Sequence, residues 1–128
     1  MRASKSASKP IGENLFADPS LDLDPAEVLR RHAAGELDIV DIREQYEWDA
    51  GHAPDTLHVE IERVASRAPT FDRARPVAFM CRGGVRAGMV ARAYRAIGFD
   101  AYSVAGGFTA WHERGLPTEP EGAVVADH

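Results

Sequence analysis

Apolar and polar positions change rhythm several times along this chain, and the changes predict helices alternating with strands. "DPAEVLRRHAAGE" reads as a helix with both ends marked: Asp24 as N-cap, Pro25 at the first helical position, Glu27 closing a capping box and Gly35 as terminator. Val28, Leu29 and Ala33 mark its inner face. "LDIVDIR" follows as a short strand, then "EQYEWDAGHAP" as a brief helical or turn segment ending at Gly51. "TLHVEI" is a weaker strand because it carries Glu60, and "IERVASRA" is a short helix before Pro69. "PVAFM" is a continuous apolar run of the kind buried on both sides of a sheet. From Arg86 the spacing becomes helical, with Val90, Ala93, Tyr94 and Ile97 on one face and Gly98 as the cap. "AYSVA" is a further strand, and "GFTAWHERG" a further short helix closed by Gly115 and Pro117.

This alternation implies an α/β fold, a parallel β-sheet of about five strands flanked by helices on both faces. The chain has 128 residues, enough for one domain with a real core and too few for two. We place that domain at residues 15–120. Residues 1–14 are Ser-rich, carry Arg2, Lys5 and Lys9 before any acid, and read as a disordered tail; residues 121–128 show no periodicity and read as a C-terminal tail.

Charge and composition exclude several classes. No apolar run approaches the roughly 18 residues of a membrane span. The formal charge of −5 argues against a nucleic-acid partner, because phosphate backbones call for a net basic surface. Positive charge is local instead: Arg82, Arg86, Arg92 and Arg95 gather around "FMCRGGVRAGMVARAYRAIGF", where Cys81 is the chain's single cysteine. Arg92 and Arg95 read as a solvated helix face. One cysteine excludes an intramolecular disulfide and fits a reducing, cytoplasmic location. No histidine pair has zinc-like spacing, the nearest coincidence being His52 with His58, so we expect no metal and no cofactor.

In an open parallel sheet the site lies beyond the carboxyl ends of the strands, where strand turns into helix, and Cys81 stands at such a turn. Gly83 and Gly84 let the backbone curl tightly after it. Amides from Arg82, Gly83, Gly84, Val85 and Arg86 can then converge on an anion, assisted by the positive end of the following helix. The anion is the thiolate, a persulfide or the substrate. A buried, inert cysteine is the alternative, and the flanking glycines and arginines weigh against it.

At these residues the chain resembles the rhodanese family. "CRGGVR" is similar to that family's six-residue active-site loop, with Cys81 first, Gly84 fourth and Arg86 sixth. "IVDIRE" followed by "GHAP" resembles its Asp-x-Arg-Glu and Gly-His-x-Pro elements through Asp41, Arg43, Glu44, Gly51, His52 and Pro54. "AGGFTAWHERGLP" resembles its closing segment through Gly106, Gly107, Trp111, Gly115 and Pro117. Together these cover residues 22 to 118. The departures are Ala87 in place of serine or threonine after the loop, Asp55 and Thr56 in place of Gly-Ala, and Glu60 in place of proline.

The resemblance implies a sulfurtransferase in which Cys81 carries sulfur as a persulfide. It implies a small anionic donor such as thiosulfate, and cyanide, a low-molecular thiol or a protein thiol as acceptor. Arg86 would fix the loop or meet the donor, and Arg82 would attract it; Asp41, Arg43 and His52 would support the loop. Two rivals stand beside it. Cysteine phosphatase or arsenate reductase chemistry resembles Cys-x5-Arg, whereas Cys81 and Arg86 are separated by four residues. A noncatalytic interaction module on the same fold typically lacks the cysteine that this chain retains.

Overall fold

The computed structural model describes residues 18–127, so the expected tail at 1–14 and the terminal His128 lie outside the described residues. Five parallel strands form one sheet: β1 (Asp22–Leu23), β2 (Asp38–Asp41), β3 (Leu57–His58), β4 (Val77–Met80) and β5 (Ala101–Val104), in the order β1-β5-β4-β2-β3. The helices are α1 (Pro25–Ala33), α2 (Gln45–Ala50), α3 (Ile61–Arg67), α4 (Val85–Ala96) and α5 (Gly107–Glu113), with a 3-10 turn at Ala68–Thr70. The expected parallel sheet flanked by helices is the observed architecture.

Successive strand residues point to opposite faces, so one strand feeds two cores. Val40, Val77, Phe79 and Ala101 pack with Val64, Val90, Ala91 and Tyr94 under α3 and α4. Ile39, Ala78, Met80 and Val104 pack with Val28, Phe108 and Trp111 under α1 and α5. The unbroken "VAFM" run is thereby explained: β4 is the central strand and every one of its residues is buried. The sequence predicts no strand at β1, because two residues carry no periodicity.

Three local expectations are corrected. The Asp24 carboxylate does accept the Ala26 N–H, but Glu27 does not close a capping box. Arg30 and Arg31 take its carboxylate instead and hold that acid down at about 2. The reciprocal box forms at α2, between Glu44 and Glu47. Ala33 faces solvent, and α1 buries Pro25 and Val28. On α4, Ala93 and Ile97 are exposed, while Ala87, Gly88 and Ala91 join Val90 and Tyr94 inside. Two phases of the helical repeat share Val90 and Tyr94; the cap at Gly84 selects the one that turns Ala87 toward the cysteine.

Two of the departures have clear structural places. Asp55, where the family pattern has glycine, adopts a left-handed backbone at φ 59°, a conformation aspartate tolerates better than most side chains. Glu60 belongs to no strand: it is the N-cap position of α3, and its carboxylate accepts the Gln45 N–H at 3.2 Å.

Candidate active site

Cys81 leaves the carboxyl end of the central strand, and its side chain is 1% exposed. The backbone turns back at Gly84, the N-cap of α4, with φ 104°. That reversal lays the amide of Gly84 2.9 Å and that of Ala87 3.4 Å from the Cys81 Sγ. Within the run from Arg82 to Arg86, among the described residues, the Gly84 amide is the one that donates to Sγ itself. The other donor lies beyond that run, in Ala87, whose backbone amide serves although its side chain lacks the hydroxyl of the family pattern. Among the described residues, the amides of Gly83, Val85 and Arg86 make no hydrogen bond, and they stand at the positive end of a 12-residue helix.

A second helix braces the loop from behind. At the head of α5 the Phe108 amide donates to the Cys81 carbonyl at 2.8 Å, and the Thr109 amide to the Arg82 carbonyl at 3.0 Å. A Cβ on Gly107 would stand 2.4 Å from the Cys81 carbonyl oxygen and 2.6 Å from that of Arg82. Gly107 also has φ 59°. The paired glycines after β5 thus let one helix end press against the cysteine turn. Gly107→Ala is expected to cost about 2–4 kcal/mol through backbone collision and left-handed strain. Urea unfolding checks this, and a loss under about 0.5 kcal/mol would contradict the packing argument.

Asp41 and Arg43, at the end of β2, are both 0% exposed and form a bidentate ion pair, with contacts of 2.8 to 3.1 Å. Arg43 Nη2 also donates to the Gly51 carbonyl at 2.8 Å, and its guanidinium lies 4.2 Å over the Phe108 ring. Its Nη1 has no hydrogen-bond partner among the described residues. The pair touches the site through Phe108, whose amide holds the Cys81 carbonyl. His52 donates from Nδ1 to the Trp48 carbonyl at 2.8 Å, stacks on the Trp48 ring at 3.7 Å and places Nε2 3.2 Å from Glu119. His58 stacks on the same ring and donates to the Arg43 carbonyl. Both histidines thus bond to a backbone carbonyl and stack on the Trp48 ring.

The two arginines of the loop differ. Arg82 is half-buried and its Nε–H donates to the Ala126 carbonyl at 3.1 Å. Arg86 is half-buried, and among the described residues its guanidinium takes part in no hydrogen bond or ion pair. Tyr46 lies within electrostatic reach of both; partial burial first, then Glu47 and Glu44, raise its phenol above the usual range, and the two arginines oppose them. Gly83 and Val85 are exposed at the loop surface. A hollow of about 140 Å³ lined by His32, Leu57, Phe71 and Phe99 lies at the opposite, amino end of the strands and does not reach the cysteine. No helix among the described residues is long and apolar enough to cross a membrane.

Residues 24–114 match the model of the rhodanese-like domain. The chain is 33% identical over 114 residues to the HTH-type transcriptional regulator Rv0324 of Mycobacterium tuberculosis, an alignment covering 88% of this chain and 50% of that one. The chain therefore spans half the length of that relative. It is 35% identical over 82 residues to the thiosulfate sulfurtransferase GlpE of Actinobacillus pleuropneumoniae, covering 63% of this chain and 76% of the other. In three dimensions it is similar to a rhodanese-related protein from Thermoplasma volcanium, with a TM-score of 0.72 at 20% identity, over 77% of this chain and 97% of that one.

Proposed function

The chain belongs to the rhodanese-like domain family, and from that premise we propose that it is a sulfurtransferase whose Cys81 carries the transferred sulfur. In the first half-reaction the Cys81 thiolate attacks the outer sulfur of thiosulfate; the S–S bond of the donor breaks, its electron pair leaves with sulfite, and Cys81 becomes a persulfide anion. In the second, cyanide or a thiolate takes the terminal sulfur and returns the thiolate of Cys81. Charge balances in each half without a cofactor or metal, and covalent capture divides one transfer into two easier ones. The observation that carries the proposal is the pair of amides, from Gly84 and Ala87, aimed at Sγ at the head of α4. Such donors stabilise negative charge on sulfur, and the unengaged amides of Gly83, Val85 and Arg86 suit the terminal sulfur of a persulfide. We place the activity in the cytoplasm, where free thiols persist.

Intact-mass spectrometry after incubation with thiosulfate tests the proposal. A gain of one sulfur atom, mapped to Cys81 and removed by cyanide, is the expected result. No gain, with Cys81 intact, would sink it in favour of a binding module. Robust aryl phosphate hydrolysis without sulfur uptake would instead promote the phosphatase rival, against the argument that a loop with four residues between Cys81 and Arg86 is too narrow for a tetrahedral group.

Arg86→Lys is not a conservative change in this mechanism, because a planar fork with five donors is replaced by one mobile ammonium. The expected loss in kcat/KM for thiosulfate is at least about tenfold, or about 1.4 kcal/mol. Unchanged steady-state kinetics in the lysine variant would remove Arg86 from the reaction.

A further inference from the structure

Beyond residue 114, where the family match ends, the chain makes a second pass along the site end of the fold. Glu119 pairs antiparallel with His52 through two backbone hydrogen bonds of 2.8 Å. The Val124 amide donates to the Ala50 carbonyl at 3.0 Å, and His112 donates from Nε2 to the Ala123 carbonyl at 3.0 Å. Val125 packs against the core under α1 and α5. Gly51 lies so close beneath this segment that a Cβ there would stand 2.8 Å from both the Ala123 Cβ and the Val124 carbonyl oxygen. The segment then reaches the cysteine loop, where the Ala126 carbonyl accepts the Nε–H of Arg82. Residues 121–127, which the sequence predicts to be a C-terminal tail, touch the domain at these points.

The bond to Ala126 occupies only one edge of the Arg82 guanidinium. Its two Nη groups take no partner among the described residues, and Arg82 is the neighbour of Cys81 in the chain. A guanidinium presents parallel N–H groups that match two oxygens of an oxyanion. An arginine already anchored by a backbone carbonyl loses less side-chain freedom when an anion binds than one loose in solvent. We infer that Glu119–Asp127 is a strap that positions Arg82 beside the Cys81 loop, making Arg82 the residue that selects sulfur donors with an oxyanion head over neutral ones. This rests on the reading of Cys81 as the sulfur carrier.

The test compares the full-length protein with Gly51→Ala, which crowds the strap from below, Val125→Asp, which removes its apolar seat, Arg82→Ala, and the Gly51→Ala/Arg82→Ala double variant. Circular dichroism establishes which variants are folded, and either strap variant suffices. Rates of Cys81 alkylation by iodoacetate, an anion, and by iodoacetamide, its neutral analogue, are followed by mass spectrometry; this readout requires no sulfur transfer. The iodoacetate-to-iodoacetamide rate ratio is expected to fall about 3–10-fold in each single variant, and no further in the double variant. The KM for thiosulfate should rise by a similar factor in the strap variants, with kcat within about twofold of the parent. An unchanged ratio in a folded strap variant, a further fall in the double variant, or a Cys81 inert to both reagents would overturn the assignment. If the wild type takes no sulfur from thiosulfate while the alkylation ratio still responds to the strap, the sulfur-carrier reading fails and the positioning of Arg82 stands.

Discussion

Replacing Cys81 with serine is expected to reduce thiosulfate:cyanide transfer to background while leaving the fold in place. The hydroxyl is smaller than the thiol but keeps a hydrogen-bond acceptor where the Gly84 and Ala87 amides converge, so the loop retains its reason to curl. What is lost is the capacity to form a persulfide, since a serine oxygen at neutral pH is a poor nucleophile toward sulfane sulfur. We expect a fall of at least about 10³-fold in kcat/KM, or about 4 kcal/mol in barrier. The melting temperature should stay within about 3 °C of the parent, because the change leaves the site filled. Steady-state kinetics and a thermal melt on the same sample separate the two statements. Retained transfer in a folded serine variant would remove Cys81 from the mechanism, whereas lost transfer in an unfolded one would say nothing about chemistry.

The largest expected effect on stability comes from Asp41→Ala. This change leaves the Arg43 guanidinium fully buried with one of its nitrogens already unpartnered, so a charge enters the interior uncompensated. Breaking a buried pair from one side costs about 3–5 kcal/mol. In a domain of this size that corresponds to a fall of about 10–20 °C in melting temperature. Asp38→Ala is the internal control: its partner Arg75 is held at 2.9 Å, but both side chains are about half exposed. Removing an exposed pair of that kind changes stability by about 0–1 kcal/mol. Urea titrations of the two variants should therefore differ several-fold in their effect. Equal shifts would mean that burial does not set the worth of the Asp41–Arg43 pair.

That pair also shows how the site is held. Arg43 reaches the Gly51 carbonyl on one side and the Phe108 ring on the other, and the Phe108 amide holds the Cys81 carbonyl. Residues far apart in the chain thus brace one turn of backbone. Motif spacing brought Asp41, Arg43, His52 and Gly107 into view, but nothing in a linear string states that they share a neighbour.

By itself, the sequence determined the alternation of strands and helices, because period and end signals are local: the "VAFM" run, Gly35 and Gly98 after their helices, and the Asp24 cap all act within a few residues of themselves. It also determined that a thiol would stand at a strand end before a glycine turn, since strand, turn and helix are adjacent in the chain. Tertiary structure alone decided which phase of α4 faces inward, because apolar residues occupy both and only the Gly84 cap and the cysteine beneath it choose between them. The pairing of Glu27 with arginines rather than with the cap is by contrast a local competition, because Arg30 and Arg31 stand three and four residues further along the same helix. The placement of residues 119–127 was beyond any local signal: their partners are His52, Ala50, His112 and Arg82, contacts between distant parts of the chain that leave no periodicity to read.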